Sequence, residues 1–400
     1  MVRFDRIFGI LLSWQCAVHA APADTPMVPP SIFSETTLYP SPTQGNLAVH
    51  DPNIVHNNGA YYMFRGGVHV PILKATSLDG PWQGIGTVLD GPSLIKKENR
   101  TRPWAPTTVE YNGRFYCFYT VSRHGSRNSA IGVASADSIE GSWTDHGAVI
   151  NTEKGPHSQI WPYTESNAID AAFITDQQSG KPYLLYGSFW HGIYQVPLAD
   201  DLLSVEDPDH PDAKNLAFVP DQKVKPIEGS FMSYREPYYY LWFSHGKCCR
   251  FLSKGFPVAG KEYSIRVGRS TNVRGPFVDK DGVSLLEGGG TVVYDSNRGE
   301  TYAPGGVGVL SGSATESDIL YYHYRELPVN IRTRTGLTGA VNTSVGFKDD
   351  DAHLGWNFLD YVDGWPEARA SKNAGSTLRP NYQLTIMTIL FSGGFLWLYW

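Results

Sequence analysis

A unit made of an apolar opening, a turn and an aromatic strand recurs five times along this chain. The aromatic strands lie at 60–64, 114–118, 182–186, 238–242 and 320–324. The openings before them lie at 50–54, 104–108, 167–171, 227–231 and 302–306. Repetition at this length, with hairpin signals such as Asn58-Gly59 inside the unit, is typical of propeller blades. The sequence therefore predicts an all-β, five-bladed β-propeller; a β-sandwich with Tyr-rich strands is the alternative.

Three of the five openings carry a carboxylate among apolar neighbours, where an unpaired charge is costly to bury. These acids are Asp51, Asp170 and Glu228. Because equivalent positions of all blades face the central axis, we expect the three acids to meet in one pocket. Any one of them alone would more often cap a turn, whereas three at matched positions indicate catalysis. Glycoside hydrolysis needs a proton donor and a base, and a third acid beside the donor raises its pKa.

Aromatic side chains near the same axis are candidates for stacking against sugar rings. They are Trp104, Phe189 and Trp190. Their alternative is ordinary propeller core, which for Phe189 is nearly as good an interpretation.

Seven short motifs make the chain resemble the endo-1,5-α-L-arabinanases of glycoside hydrolase family 43. The motifs are HDP at 50–52, RPWAP at 102–106, SAIGVA at 129–134, NAID at 167–170, GSFWHGI at 187–193, EGSF at 228–231 and YAPGG at 302–306. The resemblance covers about residues 38–366 and implies a five-bladed propeller that inverts anomeric configuration. It implies that Asp51 is the general base and Glu228 the general acid. It assigns to Asp170 the tuning of the donor's pKa and the holding of the substrate.

The same resemblance implies substrate contacts and an ion. Asn167 and Ser188, which belong to two of the motifs, join the three aromatic side chains as substrate-binding candidates. A calcium ion is expected on the axis near His323; the alternative is a histidine that simply packs in a Tyr-rich strand. One departure is that Asp170 is followed by Ala171-Ala172 where relatives commonly have Pro-Asn, which predicts a different fine shape of the subsites.

Three other functions are compatible with parts of this pattern. An exo-acting arabinofuranosidase or β-xylosidase would use the same acids. A fructan-cleaving propeller would retain configuration and use Asp51 as a nucleophile. A non-catalytic carbohydrate-binding propeller would have little use for all three axial acids. The motifs favour arabinan or arabino-oligosaccharides as partners of an endo-acting enzyme that we expect to be monomeric.

The first 37 residues are predicted to lie outside the propeller, which we place at residues 38–370. Residues 1–20 are typical of a signal peptide, with Arg3 and Arg6 before an apolar core and a small-x-small cleavage site at 18–20; an unprocessed tail is the alternative. Residues 21–37 form an N-terminal segment. Sequons at Asn99 and Asn342 agree with secretion and are candidates for glycosylation.

The C-terminus has the pattern of a glycosylphosphatidylinositol attachment signal. Small residues and a polar spacer occupy 371–383, and residues 384–400 are apolar and uncharged. Asn373 is a candidate attachment residue, and cleavage there would leave the protein on the outer cell surface. A plain tail anchor or a packed terminal strand are the alternatives.

Charge and cysteine content exclude other classes. The net charge is −6 and no basic run with interleaved aromatics stands out, so we expect no nucleic-acid partner. After loss of Cys16 with the signal peptide, Cys117, Cys248 and Cys249 remain; the adjacent pair forms either a vicinal disulfide or two thiols, and Cys117 is a core candidate. No spacing indicates a zinc site.

Overall fold

Five antiparallel sheets account for nearly all regular structure in the chain. The computed structural model describes residues 39–220, 222–297, 301–312, 317–326 and 349–370. Within them the only α-helix is the single turn α1 (Phe251–Lys254), and two 3-10 turns cover Leu285–Glu287 and Asp349–Asp351. No helix among these residues is long and apolar enough to cross a membrane.

Each sheet is one blade of a propeller, which confirms the predicted fold. The first strand, β1 (Thr43–Ala48), precedes the first blade in sequence. Blade 1 contains β2 (Asn53–Asn57), β3 (Ala60–Phe64), β4 (Pro71–Ala75) and β5 (Gln83–Thr87). Blade 2 contains β6 (Trp104–Tyr111), β7 (Arg114–Val121), β8 (Ala130–Ala136) and β9 (Thr144–Asn151). Blade 3 contains β10 (Ala172–Thr175), β11 (Pro182–Ser188), β12 (Gly192–Pro197) and β13 (Lys214–Ala217).

The last two blades follow the same meander. Blade 4 contains β14 (Ile227–Arg235), β15 (Tyr238–His245), β16 (Ser264–Ser270) and β17 (Thr291–Tyr294). Blade 5 contains β18 (Tyr302–Leu310), β19 (Ile319–Arg325), β20 (Ala352–Val362) and β21 (Trp365–Arg369).

The ring is closed by the N-terminal strand. β1 pairs with β20, so that Thr43 lies opposite Trp356, and blade 5 therefore combines strands from both ends of the propeller. This pairing covers an edge of β20 that would otherwise expose unpaired backbone groups. The repeat pattern did not predict β1, because β1 lies before the first aromatic strand.

The apolar core lies between neighbouring blades. Successive side chains of each aromatic strand point to opposite faces of the blade, and each face packs on one of the two neighbouring blades. Phe118 of blade 2 stacks on Phe173 of blade 3 with ring centroids 6.3 Å apart. Tyr294 of blade 4 contacts Tyr322 of blade 5 at 4.8 Å. Cys117 is buried in the cluster between blades 1 and 2, as predicted.

Candidate active site

The pairing of the first strand of a blade with its second strand shows which residues of different blades are equivalent. In three blades, one residue of the first strand pairs with the second strand immediately before a β-bulge. These pairs are Trp104 with Thr120, Glu228 with Ser244, and Gly305 with His323. Trp104, Glu228 and Gly305 are therefore equivalent. Gly305 lies inside the predicted opening at 302–306, in which Tyr302 also precedes a bulge.

The residue after this position has a left-handed backbone in every blade. These residues are Asp51 (φ 48°), Ala105 (37°), Asp170 (57°), Gly229 (58°) and Gly306 (59°). Aspartate tolerates this conformation better than most side chains, and such strain is concentrated at functional sites. Asp51 and Asp170 are thus equivalent to each other, but Glu228 lies one position earlier. The prediction that all three acids share one point of the repeat was wrong for Glu228.

A hydrogen bond from the left-handed residue ties each of three blades to the blade before it. The donor is the backbone N–H, and the acceptor is a side chain of the second strand of the preceding blade. The pairs are Asp170 with Thr120 Oγ1 at 3.1 Å, Gly306 with Ser244 Oγ at 3.0 Å, and Asp51 with His323 Nδ1 at 3.1 Å.

Blade 3 lacks such a side chain, because its second strand carries Gly187 at this position. The Gly229 N–H instead donates to Asp170 Oδ2 at 3.1 Å. Asp170 therefore replaces the missing acceptor and fixes the backbone directly next to Glu228. Through this contact Asp170 orients the backbone beside Glu228. The sequence did not predict which atoms make the contact.

Asp51 is held in its ionised form. Its Oδ2 lies 3.0 Å from His50 Nδ1, and its Oδ1 lies 3.3 Å from His323 Nδ1. The two imidazole rings stack with centroids 4.0 Å apart. Burial opposes ionisation, but His50 and His323 outweigh it and hold the pKa of Asp51 well below its ordinary value. Asp51 is therefore equipped to accept a proton.

Glu228 has the opposite character. Burial raises its pKa from 4.5 to about 7. The Tyr263 hydroxyl donates to Glu228 Oε1 and lowers this pKa, while the negative charge of Asp51 raises it. Near neutral pH a large fraction of Glu228 is therefore protonated and able to donate. The pair consists of one ionised and one protonated carboxyl group in the same cleft, which is the division that acid/base catalysis needs.

Asp170 also has a raised pKa. Burial is the first cause, followed by the charges of Glu228 and Asp51, while the Gly229 N–H partly stabilises the charged form. The repulsion between Asp170 and Glu228 acts on both groups, so a charge on either disfavours a charge on the other.

Two glycines make the approach of these side chains possible. A Cβ on Gly305 would overlap the ring of Tyr263, and a Cβ on Gly306 would lie 2.6 Å from His323 Nδ1 and would also overlap the Asp51 carboxylate. Gly306 additionally has a φ of +59°, which favours glycine. The Gly305-Gly306 pair therefore lets blade 5 bring Tyr263, Asp51 and His323 together.

The acids open into a large cleft of about 1340 Å³. All five predicted substrate-binding residues line it: Trp104, Asn167, Ser188, Phe189 and Trp190. Asn167 Nδ2 donates to Ser188 Oγ at 2.9 Å, and both side chains are buried. Asn167 Oδ1 is buried without a hydrogen-bond partner among the described residues, so it is available to a ligand hydroxyl.

Three side chains of the cleft, and one contact of the cysteine pair with His50, were missed by sequence reasoning. Tyr263 is the partner of Glu228, and His50 is a partner of Asp51. His245 lines the cleft, and burial lowers its pKa to about 3. Cys248 and Cys249 form a disulfide, which resolves the two alternatives for this pair, and Cys249 Sγ lies 3.6 Å from His50 Nε2. Only His50, as the neighbour of Asp51 in sequence, offered a signal.

His323 has the surroundings of a metal ligand. It forms with His50 and Asp51 a group whose ligand atoms lie within 4.8 Å of one another. Its Nε2 is buried without a hydrogen-bond partner among the described residues. Ligation through Nε2 requires the tautomer with the proton on Nδ1, which then donates to Asp51 Oδ1 at 3.3 Å instead of accepting the Asp51 N–H. The residues present therefore fit a bound ion.

The predicted modification sites are only partly within the described residues. Asn99 is exposed in a turn, and its side-chain amide donates to the Ser122 carbonyl at 2.8 Å. Asn342 and Asn373 lie outside the described residues, as do the signal peptide at 1–20 and the C-terminal segments at 371–400.

Comparison with known proteins places this geometry among glycosidases. The family model for glycosyl hydrolases family 43 matches residues 42–343. A probable arabinan endo-1,5-alpha-L-arabinosidase D from Emericella nidulans is 54% identical over 96% of this chain and 96% of its own length. The structure of Cellvibrio cellulosa alpha-L-arabinanase complexed with arabinohexaose has a TM-score of 0.66 and 27% identity, covering 82% of this chain and 96% of that one.

One structural relative has the other mode of action in its name. It is an exo-1,5-alpha-L-arabinanase from a bovine ruminal metagenomic library, with a TM-score of 0.64 and 26% identity over 84% of this chain and 100% of that one. The scaffold is therefore compatible with both modes.

Proposed function

Because this chain belongs to glycosyl hydrolase family 43, we infer that it is an enzyme that hydrolyses internal α-1,5-L-arabinofuranosidic bonds of arabinan. The observation that carries the mechanism is the contrast between two carboxyl groups of one cleft. The pKa of Asp51 is held low by two histidines, while burial raises that of Glu228 to about 7. Inverting hydrolysis needs this combination of base and acid.

In the proposed mechanism, Asp51 removes a proton from a water molecule that attacks the anomeric carbon. Glu228 protonates the leaving glycosidic oxygen on the other side of the sugar. The water oxygen bonds to the anomeric carbon as the bond to the leaving oxygen breaks. One proton passes to Asp51 and one leaves Glu228, and the configuration is inverted.

Asp170 and Tyr263 hold the donor in place. Asp170 accepts the Gly229 N–H, and Tyr263 donates to the Glu228 carboxyl oxygen. We assign to Asp170 a double role: when ionised it repels a charge on Glu228 and so favours the protonated donor, and it orients the backbone beside it.

Neighbouring side chains are proposed to bind the arabinose rings. Trp104, Phe189 and Trp190 provide apolar faces for sugars, and Asn167 with Ser188 provides hydrogen-bonding groups at the cleft wall.

We propose that His323 Nε2 would hold a calcium ion. Such an ion would supply positive charge that favours an ionised Asp51. We expect EDTA to lower activity and calcium to restore it. Native mass spectrometry should detect the ion in the wild type and not in His323→Ala; a metal-free and fully active wild type would contradict the assignment.

Location and assembly are inferred from the sequence alone. We propose a secreted monomer attached to the outer cell surface by a lipid at or near Asn373. Release of the intact enzyme from cells by a phosphatidylinositol-specific phospholipase would support this attachment, and retention after treatment would argue for a different anchor.

Product analysis on neutral linear arabinan tests the proposed activity. The wild type should produce a ladder of short arabino-oligosaccharides early in the reaction. Arabinose alone from the first minutes would identify an exo-acting enzyme with the same acids. Binding without hydrolysis would favour the non-catalytic propeller.

A further inference from the structure

The rim of the cleft carries many more positive charges than a neutral sugar requires. The segment between β15 and β16, residues 246–263, contributes Lys247, Arg250, Lys254 and Lys261 to the cleft wall. We name this segment the basic loop. Its one acid, Glu262, is buried at 2% exposure and does not face the cleft.

A second set of positive charges comes from blade 2, which does not adjoin the blade that carries the basic loop. Arg102 and Arg123 line the cleft from there, and both are exposed. Arg123 is paired with Glu98 at 3.2 Å. Across the part of the chain that the structure describes, Asp350 is the only acid lining the cleft besides the three at its floor.

Three of these six cations lack an acidic partner among the residues that the structure describes. Arg102, Lys254 and Lys261 make no ion pair with any described residue. Lys247 lies close enough to Lys254 that burial and the charge of Lys254 together lower the pKa of Lys247. The whole chain nevertheless has a net charge of −6, so positive charge is concentrated at the cleft. Crowding like charges destabilises a folded chain, and a cleft of one sign raises the local concentration of ligands of the other.

Arabinan itself does not explain this arrangement, because its pentose rings are uncharged. Neutral sugars are held by stacking and hydrogen bonds, and the aromatic and amide groups of the cleft already provide both. A cationic rim around such a cleft is complementary to carboxylates that lie beyond the hydrolysed chain.

We propose that the basic loop and Arg102 bind the carboxylates of an acidic polysaccharide, a polyuronate, to which the arabinan chains are attached. The rim then guides the enzyme to arabinan that is still linked to its acidic backbone. The inference rests on the proposed hydrolysis of arabinan for its biological meaning, but binding of the anion is measured without any turnover.

A charge-neutralised pair tests the proposal. The variant Lys254→Gln/Lys261→Gln removes two unpaired charges of the rim. The matched control Lys96→Gln/Lys154→Gln removes two charges from exposed lysines that do not line the cleft. Binding of soluble polygalacturonate is measured by calorimetry at about 20 mM and about 200 mM NaCl, because screening shortens the reach of exposed charges. Thermal unfolding checks that all proteins are folded.

We expect the wild type and the control to bind polygalacturonate at low salt. The rim variant should bind about three- to tenfold more weakly, and high salt should reduce the difference. In hydrolysis assays, the ratio of kcat/KM for uronate-linked arabinan to kcat/KM for neutral linear arabinan should fall in the rim variant and remain unchanged in the control.

Three results would overturn the proposal. They are no binding of polygalacturonate by the wild type, equal losses in the rim variant and the control, or tighter binding to phosphatidylserine vesicles with the same dependence on Lys254 and Lys261. The last result would assign the rim to an anionic membrane surface. Failure to hydrolyse neutral linear arabinan would instead contradict the proposed activity. The binding of polygalacturonate could still be interpreted, because it is measured without turnover.

Discussion

Removal of the Tyr263 hydroxyl group should shift the alkaline limb of the pH–activity profile. In Tyr263→Phe, Glu228 loses a donor that stabilises its charged form. A hydrogen bond to a charged group contributes about 1.5–3 kcal/mol, and one pKa unit corresponds to about 1.4 kcal/mol. The pKa of Glu228, about 7 in the wild type, should therefore rise by about one to two units.

The direction follows from the role of the proton. Glu228 acts as an acid only while it is protonated, so activity declines as pH rises through its pKa. A higher pKa extends activity to more alkaline pH. The rate at neutral pH should fall by about tenfold, because the donor is a weaker acid and is held less firmly.

The assay is kcat/KM on linear arabinan between about pH 5 and about pH 10, which reports the pKa of the free enzyme. Tyr163→Phe is the matched control, because Tyr163 is buried with no partner for its hydroxyl among the described residues and lies away from the cleft. An alkaline limb that stays in place or moves to lower pH in Tyr263→Phe would refute the reasoning.

Other substitutions separate the remaining roles. Asp51→Asn removes the base and should reduce kcat by about 10²–10⁴-fold in a folded protein, as measured by initial rates beside thermal unfolding. Thr120→Val removes the acceptor of the Asp170 N–H and should lower kcat by roughly tenfold, whereas Thr120→Ser should retain most activity. Gly306→Ala should lose both activity and several degrees of Tm, because a side chain there is strained and would overlap Asp51. A wild-type rate in Asp51→Asn, Thr120→Val or Gly306→Ala would contradict the role assigned to that residue.

The repeat made the blades predictable, but it could not reveal the register at the axis. Five aromatic strands are visible in the sequence because each must pack on both neighbouring blades. The offset of Glu228 by one residue depends on left-handed backbone at Asp51 and Gly229. Aspartate and glycine both tolerate this conformation, but their presence does not show where in the opening it occurs.

Contacts across the axis were also out of reach of sequence reasoning. Tyr263 lies directly before β16, at the end of the basic loop. Its ring can approach Glu228 only because Gly305 has no side chain to occupy the same space. Asp170 bonds to Gly229 only because Gly187 provides no acceptor. Each of these contacts depends on an absent side chain in a different blade.

The basic rim illustrates the same limitation for charge. No basic run stands out in the sequence, because the cations are spaced along one loop and along blade 2. Folding brings them to one cleft. A search for basic runs in the sequence therefore did not find cations that line one cleft of the folded chain.

The central claim is that Asp51 activates water while Glu228 protonates the leaving oxygen. Proton NMR of the first product formed from linear arabinan tests it most directly, because it reports the anomeric configuration before mutarotation. We expect the β-anomer of the new reducing end to appear first, as direct attack by water on an α-bond requires. Initial formation of the α-anomer would contradict the role of Asp51 as a general base, since it would make Asp51 a nucleophile in a retaining reaction.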